Sequence, residues 1–301
     1  MKYLITGFSG FMGSHLTERL LNDGHEVIGI DRSIKFKNIV ANHPSLRMYH
    51  MDIFDNIADL FKDIDYVYHL AALTRPQWSI KYPYETTQTN LLGTLKILEY
   101  CRDNNIKKII FASTSDIYGD QAIYPTPEDV VPNPLNYYAL SKWMGEKACE
   151  LFHTLYGLKY NIIRPFNAYG PRMPLSGIWT SAVATFIDAL VNNKKFKTFG
   201  DGNQKRDFIY IDDLVDMLIL LANDKVDNNA FNCGSGSNNS INEIREIIEK
   251  ITGKTVEFER LPAQFEKKET LANISKADIL LGWKPKISLE EGLKRTVQSY
   301  L

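Results

Sequence analysis

The first 31 residues, MKYLITGFSGFMGSHLTERLLNDGHEVIGID, constrain this chain more than any other stretch. Lys2 to Thr6 carries β-branched and aromatic residues and runs straight into Gly7, Gly10 and Gly13, after which Leu16, Leu20 and Leu21 recur at helical spacing. Gly24 stops that helix, and Glu26 to Ile30 reads as a second strand ending at Asp31. The three glycines have separate physical reasons. A tight turn needs a residue without Cβ at Gly7, backbone amides approach a diphosphate closely only if Gly10 also lacks one, and Gly13 lets the helix lie against the strand. A diphosphate so placed faces the helix N-terminus at Phe11, Met12 and Gly13, where unpaired N–H groups and the positive dipole end favour it. Asp31 is placed to accept hydrogen bonds from a ribose 2′-hydroxyl, and its carboxylate would repel a 2′-phosphate, so the pattern predicts NAD. Arg32 is the counter-signal, because it would pair with that phosphate. Three glycines alone are often turn chemistry; the flanking strand, helix and acid together point to a dinucleotide.

The 301 residues suit one large or two coupled domains, and a net charge of -1 supplies neither a basic field for nucleic acid nor a polybasic membrane anchor. The longest apolar run, Met217 to Ala222, is far too short to span a bilayer, and the chain opens on a strand rather than a signal peptide. A cytoplasmic location is the expectation. Cys101, Cys149 and Cys233 are odd in number and widely spaced, which reads as reduced buried thiols rather than metal ligands, so no metal is expected.

Helix and strand signals keep alternating after Asp31, the pattern of a Rossmann-type, doubly wound parallel α/β sheet. Leu46 to Met51 is a strand leading to Asp52 and Ile53, where a carboxylate meets an adenine amino group. Tyr66 to His69 is the next strand, and Ala71 and Ala72 beyond it are small enough for a cofactor to lie over the strand end. His69 reads as a packed strand-end residue. Tyr84 to Asn104 is predicted as one long helix, Lys108 to Ala112 as a strand, Tyr137 to Tyr156 as a helix stopped by Gly157, and Tyr160 to Arg164 as a strand. From Pro165 onward loops lengthen. Residues 1–165 are therefore expected to form the NAD-binding domain, with part of 207–235 rejoining it, and 166–301 a smaller C-terminal α/β substrate lobe. In that lobe Trp179 to Asn193 reads as a helix, Lys197 to Phe199 and Asp207 to Ile211 as short strands, and Ala230 to Cys233 as a strand of the core sheet. Ile241 to Ile251 reads as a helix, and Ser275 and Ser288 as N-caps of two final helices.

Tyr138 and Lys142 are four residues apart and so share a helical face, where an ammonium stabilises a phenolate. The spacing alone also fits a surface pair. Ser113, Thr114, Ser115 and Asp116 follow the preceding strand and add hydroxyls near the cofactor. Hydroxyl, phenol, lysine and dinucleotide make a hydride-transfer site, in which the phenolate takes a hydroxyl proton as hydride leaves the same carbon.

With these motifs the chain resembles the NAD-dependent epimerase/dehydratase family, extended short-chain dehydrogenases that act on nucleotide sugars. The resemblance covers essentially the whole chain. It rests on the glycine triplet with Asp31, on Asp52-Ile53, on His69-Leu70-Ala71-Ala72, on Ser113 to Gly119, and on Tyr138 with Lys142. It continues through Arg164 to Arg172, Gly200 to Phe208, and Leu281-Gly282-Trp283-Lys284-Pro285. It implies that Thr114, Tyr138 and Lys142 are the catalytic hydroxyl, base and supporting cation. It also implies that Leu70 and Pro165 line the cofactor site, that Asn167, Arg172 and Arg206 contact a sugar nucleotide, and that two long helices build a four-helix homodimer interface. Two departures stand out. The family's Arg-Pro-Gly-Asp stretch is matched by Ala263 to Lys268, where Lys267 and Lys268 are either point charges for a diphosphate or part of a solvated loop. Asp116 stands where dehydratases and decarboxylases have Glu, and reads either as an acid/base group or as a cap or loop acceptor. The leading expectation is a nucleotide-sugar 4-epimerase, on a UDP-hexose-type substrate, working through a transient 4-keto sugar. A 4,6-dehydratase or decarboxylase comes next, then a ketosugar reductase, and last a non-catalytic dinucleotide sensor.

Overall fold

β1 (Lys2–Thr6), α1 (Phe11–Asn22) and β2 (Glu26–Asp31) form the anticipated opening unit, and β1 and β2 pair in parallel from Lys2↔Glu26 to Thr6↔Ile30. The computed structural model describes residues 1–35, 38–39, 42–175, 181–261 and 267–301. These divide into unit 1, made of Met1–Ile117, Pro132–Arg164 and Val215–Phe231, and unit 2, made of Tyr118–Val131, Pro165–Leu214 and Asn232–Leu301.

The chain continues through β3 (Leu46–His50), β4 (Tyr66–His69), α2 (Pro76–Lys81), α3 (Pro83–Thr87), a π-helical turn (Gln88–Leu92) and α4 (Gly93–Asp103). Then come β5 (Lys108–Ala112), α5 (Tyr137–Tyr156), β6 (Tyr160–Pro165), β7 (Ala168–Tyr169), α6 (Ala182–Val191), β8 (Phe196–Phe199), β9 (Lys205–Asp207) and β10 (Ile209–Tyr210). The remainder is α7 (Ile211–Leu221), β11 (Asn229–Cys233), β12 (Asn238–Ser240), α8 (Ile241–Thr252), β13 (Phe258–Leu261), α9 (Ser275–Leu281) and α10 (Leu289–Gln298).

Seven strands form the main sheet in the order β11-β6-β5-β4-β1-β2-β3, and every neighbouring pair from β6 to β3 is parallel. Strands covered on both faces read as continuous apolar runs, and β4 and β5 are buried at every position. Leu4, Val67, Ile109, Phe111, Ile97, Leu98 and Phe61 belong to one core cluster, each such side chain contributing roughly 1.5–3 kcal/mol by burial. The chain runs outward from β1 through β2 to β3 and resumes on the other side of β1 at β4. That reversal makes the carboxyl ends of β1 and β4 the switch point where ligands of open α/β sheets bind.

Among the described residues of unit 2, two-stranded sheets pair β7 with β10, β9 with β12, and β8 with β13. The Leu281 to Pro285 motif acts as an anchor there. Gly282 ends α9 in the left-handed region at φ 65°, and the buried Trp283 donates from Nε1 to the Asp213 carbonyl at 3.0 Å. The Asp213 carboxylate accepts from the Lys286 and Ile287 amides at 2.9 and 3.0 Å.

Several expectations need correction. The helix expected over Tyr84 to Asn104 is α3, the π turn and α4 in succession, because an extra residue per turn is inserted at Gln88–Leu92. Ser275 is the first helical residue of α9 and Ile274 precedes it as a cap without a side-chain bond; the Asn273 side chain accepts from the Ser275 amide instead. Ser288 does cap α10, accepting from the Glu291 amide. The strand expected over Asp207 to Ile211 is two short ones with different partners, β9 and β10. Trp179, expected to open a helix, lies outside the described residues, and α6 begins at Ala182, capped by Ser181. Residues 118–131 cluster with unit 2, and 215–231 with unit 1.

Candidate functional site

The glycine turn is built as close contact demands. Gly7 has φ 74°, and a Cβ there would meet the Ala71 amide nitrogen at 2.9 Å, so β4's end lies directly beside the turn. A Cβ on Gly13 would fall 2.1 Å from the Gly7 carbonyl oxygen. Gly10 is the N-cap of α1 and offers no side chain to its first amides, so those of Phe11 and Met12 are open to an outside acceptor. Asp31, at the end of β2, accepts from the Ser9 hydroxyl and amide at 2.8 and 3.2 Å and from the Ser33 amide at 3.1 Å. Its carboxylate is thereby fixed over the glycine turn, while Arg32 beside it is exposed. Asp52 accepts from the Phe54 amide at 3.0 Å, and Ile53 is buried with its Cδ1 close to Gly93 of α4.

A buried polar chain, not anticipated as such, joins this turn to α5. The Ala71 amide donates to Thr6 Oγ1 at 3.3 Å, and Thr6 Oγ1 lies 2.7 Å from His69 Nδ1. Thr94 Oγ1 donates to the Asn90 carbonyl at 2.6 Å, so His69 Nε2, 3.0 Å from that hydroxyl, is the donor and Nδ1 the acceptor. Burial pushes the His69 pKa down to about 3, with the nearby Lys142 charge adding to the effect. The ring is a neutral strut. Asn90, in the π turn, accepts from the Leu73 amide at 2.8 Å and donates to the Leu73 carbonyl and to Ser141 Oγ, which donates to the Tyr138 carbonyl.

Tyr138, Lys142 and Thr114 come together in unit 1. Asn136 caps α5 by accepting from the Ala139 amide at 2.8 Å, which starts the helix one residue before Tyr138. Gly145 lets α5 lie on β5, since a Cβ there would be 2.6 Å from Phe111 Cζ. Thr114, just past β5, shares a hydrogen bond with the Tyr138 phenol, and the Asp116 amide donates to the Thr114 hydroxyl at 3.1 Å. All three side chains are buried. Desolvation raises the phenol pKa, the Asp116 charge raises it further, and the Thr114 bond opposes both. Desolvation lowers the Lys142 pKa to about 8, so the amine still carries its proton at neutral pH. Its Nζ lies 4.5 Å from the centre of the Phe111 ring.

The profile of the NAD-dependent epimerase/dehydratase family matches residues 3–234. The chain belongs to that family. A UDP-glucuronate 4-epimerase of Thermodesulfobacterium geofontis is 39% identical to this member over 98% of this chain and 94% of its own. The crystal structure of a Thermotoga maritima UDP-glucose 4-epimerase with UDP-glucose superposes with a TM-score of 0.95 at 36% identity, covering 100% of this chain and 98% of that one. UDP-glucuronic acid decarboxylase 1 of Xenopus tropicalis is 32% identical over 99% of this chain and 72% of its own.

The family's cofactor is NAD, and the glycine turn fits it. The missing Cβ atoms at Gly7 and Gly13 let the turn pack against the end of β4 and against its own backbone, uncapped amides open α1, and a carboxyl group is held at the end of β2. Leu70 is buried and Ala71 and Ala72 half-buried beyond β4, while Pro165 ends β6. In unit 2 of this epimerase/dehydratase, Asn167 has φ 22° and donates to the Asp207 carbonyl at 2.8 Å, Arg172 has φ 66°, and half-buried Arg206 lies in β9. Of the Ala263 to Lys268 stretch that departs from the family's arginine motif, 263–266 lie outside the described residues, while Lys267 is half-buried and Lys268 exposed. Among the described residues no cluster of three His, Cys, Asp or Glu side chains suits a metal, and no helix is long and apolar enough to cross a membrane.

Proposed function

We propose that this enzyme is an NAD-dependent 4-epimerase of a UDP-hexose-type nucleotide sugar. The observation that carries this is the buried Thr114, Tyr138 and Lys142 cluster, a hydroxyl, a phenol and an ammonium on a fold with a dinucleotide turn. Bound NAD supplies the acceptor and donor of a hydride. Tyr138 takes the proton of the sugar 4-hydroxyl and later returns it. The Lys142 ammonium stabilises the phenolate on the same helical face, and Thr114, hydrogen-bonded to the phenol, orients it and carries the proton. Gly7, Gly10, Gly13, Phe11 and Met12 hold the diphosphate of NAD, Asp31 its adenosine ribose, and Asp52 and Ile53 the adenine. Asn167, Arg172 and Arg206 are the contacts proposed for the sugar nucleotide. Support also comes from the 4-epimerases among the relatives.

A lyase reading is favoured by one observation, the Asp116 charge acting on Tyr138. That charge disfavours the phenolate, a cost justified if Asp116 itself moves a proton in an elimination. Incubation with UDP-glucose and UDP-glucuronate separates the two: epimerisation gives a C4 stereoisomer of unchanged mass, whereas a lyase loses water or carbon dioxide. Asp116→Asn should keep turnover within about tenfold in the epimerase reading; loss of about a hundredfold or more, with folding and NAD binding intact, would move the enzyme to the lyases.

A further inference from the structure

Asp207 closes β9 with its side chain fully buried; burial pushes its carboxyl pKa up, and the amide and hydroxyl donors around it oppose that shift. One carboxylate oxygen accepts from the Ser235 amide at 2.6 Å and the Ser235 hydroxyl at 2.7 Å, the other from the Ala272 amide at 3.0 Å and the Gly236 amide at 3.1 Å. Four donors meet both oxygens, so the ionised form is the one that fits; a protonated or amide group would turn a donor against a donor. The fit is close. A Cβ on Gly234 would lie 2.6 Å from Asp207 Oδ2 and 2.5 Å from Ala272 Cβ.

The same residue's backbone ties two more groups. Its amide donates to Thr270 Oγ1 at 3.2 Å, and its carbonyl accepts from Asn167 Nδ2 at 2.8 Å. Asn167 has φ 22°, a strained value for a residue with a side chain, and this bond to Asp207 helps hold it. Arg206 precedes Asp207 in β9, and alternation along a strand turns its side chain to the opposite face, where it is half-buried. The Asp207 carboxylate therefore ties β9 to the 234–236 turn and to Ala272, while its backbone ties the same strand to Thr270 and Asn167.

We propose that Asp207 is a positioning residue for the substrate's nucleoside diphosphate, acting by fixing Asn167 and Arg206. This rests on the reading of those two residues as substrate contacts. The probe is UDP, titrated calorimetrically into the NAD-loaded enzyme, with ADP, GDP and dTDP as controls for the base. Asp207→Asn should weaken UDP about tenfold or more, and raise KM for the sugar nucleotide while leaving NAD content unchanged and kcat within about threefold. Ser235→Ala, which removes one donor and keeps the charge, should weaken UDP by a smaller factor, and it decides the matter if Asp207→Asn does not fold. In the Arg206→Ala background, Asp207→Asn should weaken UDP much less than it does alone, because it acts through that arginine. Wild-type affinity in a folded Asp207→Asn, full additivity with Arg206→Ala, or a Ser235→Ala indistinguishable from wild type would overturn the proposal. A wild-type enzyme that binds none of the four nucleotides would instead overturn the substrate reading beneath it.

Discussion

Tyr138 carries the greatest chemical demand of any residue here. Its phenol is buried, and both desolvation and Asp116 hold the proton on. A nearby cation must offset them, and Lys142, charged below about pH 8, lies one helical turn away. Replacing Tyr138 with Phe removes the proton acceptor and keeps the ring, so turnover should fall by about a hundredfold or more while the thermal midpoint changes little. Near-normal turnover of the Phe variant would show that another group is the base. The placement of Tyr138, Lys142 and Thr114 was legible from helical spacing and a strand end taken together with the family resemblance, since the spacing alone also fits a surface pair. Asn90, Ser141 and Asp207 were not, since their importance lies in hydrogen bonds between segments far apart in the chain.

Elements were legible where one local rule decides them. α5 shows both ends plainly, with Asn136 as cap and Gly157 in the left-handed region, and β4 and β5 are short apolar runs between turns. The π turn was hidden, because Gln88 to Leu92 has ordinary helix formers and its geometry follows from what Asn90 must reach. β9 and β10 were merged for a similar reason, as tertiary pairing separates them at Phe208. The His69 strut joins β1, β4 and α4, and it yields a pH prediction. Its folded pKa of about 3 lies below the unfolded value near 6.5, so the unfolded chain takes up the proton first as pH falls. The contribution is full above about pH 6.5 and is lost progressively toward pH 3. Between pH 7 and pH 5 the loss should be about 2 kcal/mol. Urea unfolding at both values should show that difference in the wild type and much less of it in His69→Gln; equal pH sensitivity of the two would refute the assignment.

At the scale of the whole molecule, the described residues of α3, α4, α5 and the π turn leave large apolar side chains in water. Tyr84 is 78% exposed, and Leu92, Met144, Leu151, Leu155 and Tyr156 are all exposed too. On α5, Met144, Leu151 and Leu155 recur at seven- and four-residue spacings, which places them on one stripe. The homodimer proposal uses that stripe with the π turn's face as a four-helix contact. Light scattering at micromolar protein should give twice the 34.5 kDa of one chain, and Leu155→Glu should shift it toward one. A monomeric wild type would contradict the proposal.

In the proposed epimerisation hydride leaves C4 of the sugar and returns to C4 while Tyr138 handles the hydroxyl proton. The test is a UDP-hexose deuterated at C4, turned over in ordinary water and analysed by NMR. A C4-inverted product should keep its deuterium at C4 and gain no solvent hydrogen at C4, C5 or C6. Loss of that deuterium to solvent, solvent hydrogen entering at C5 or C6, or product lighter by water or carbon dioxide would contradict it.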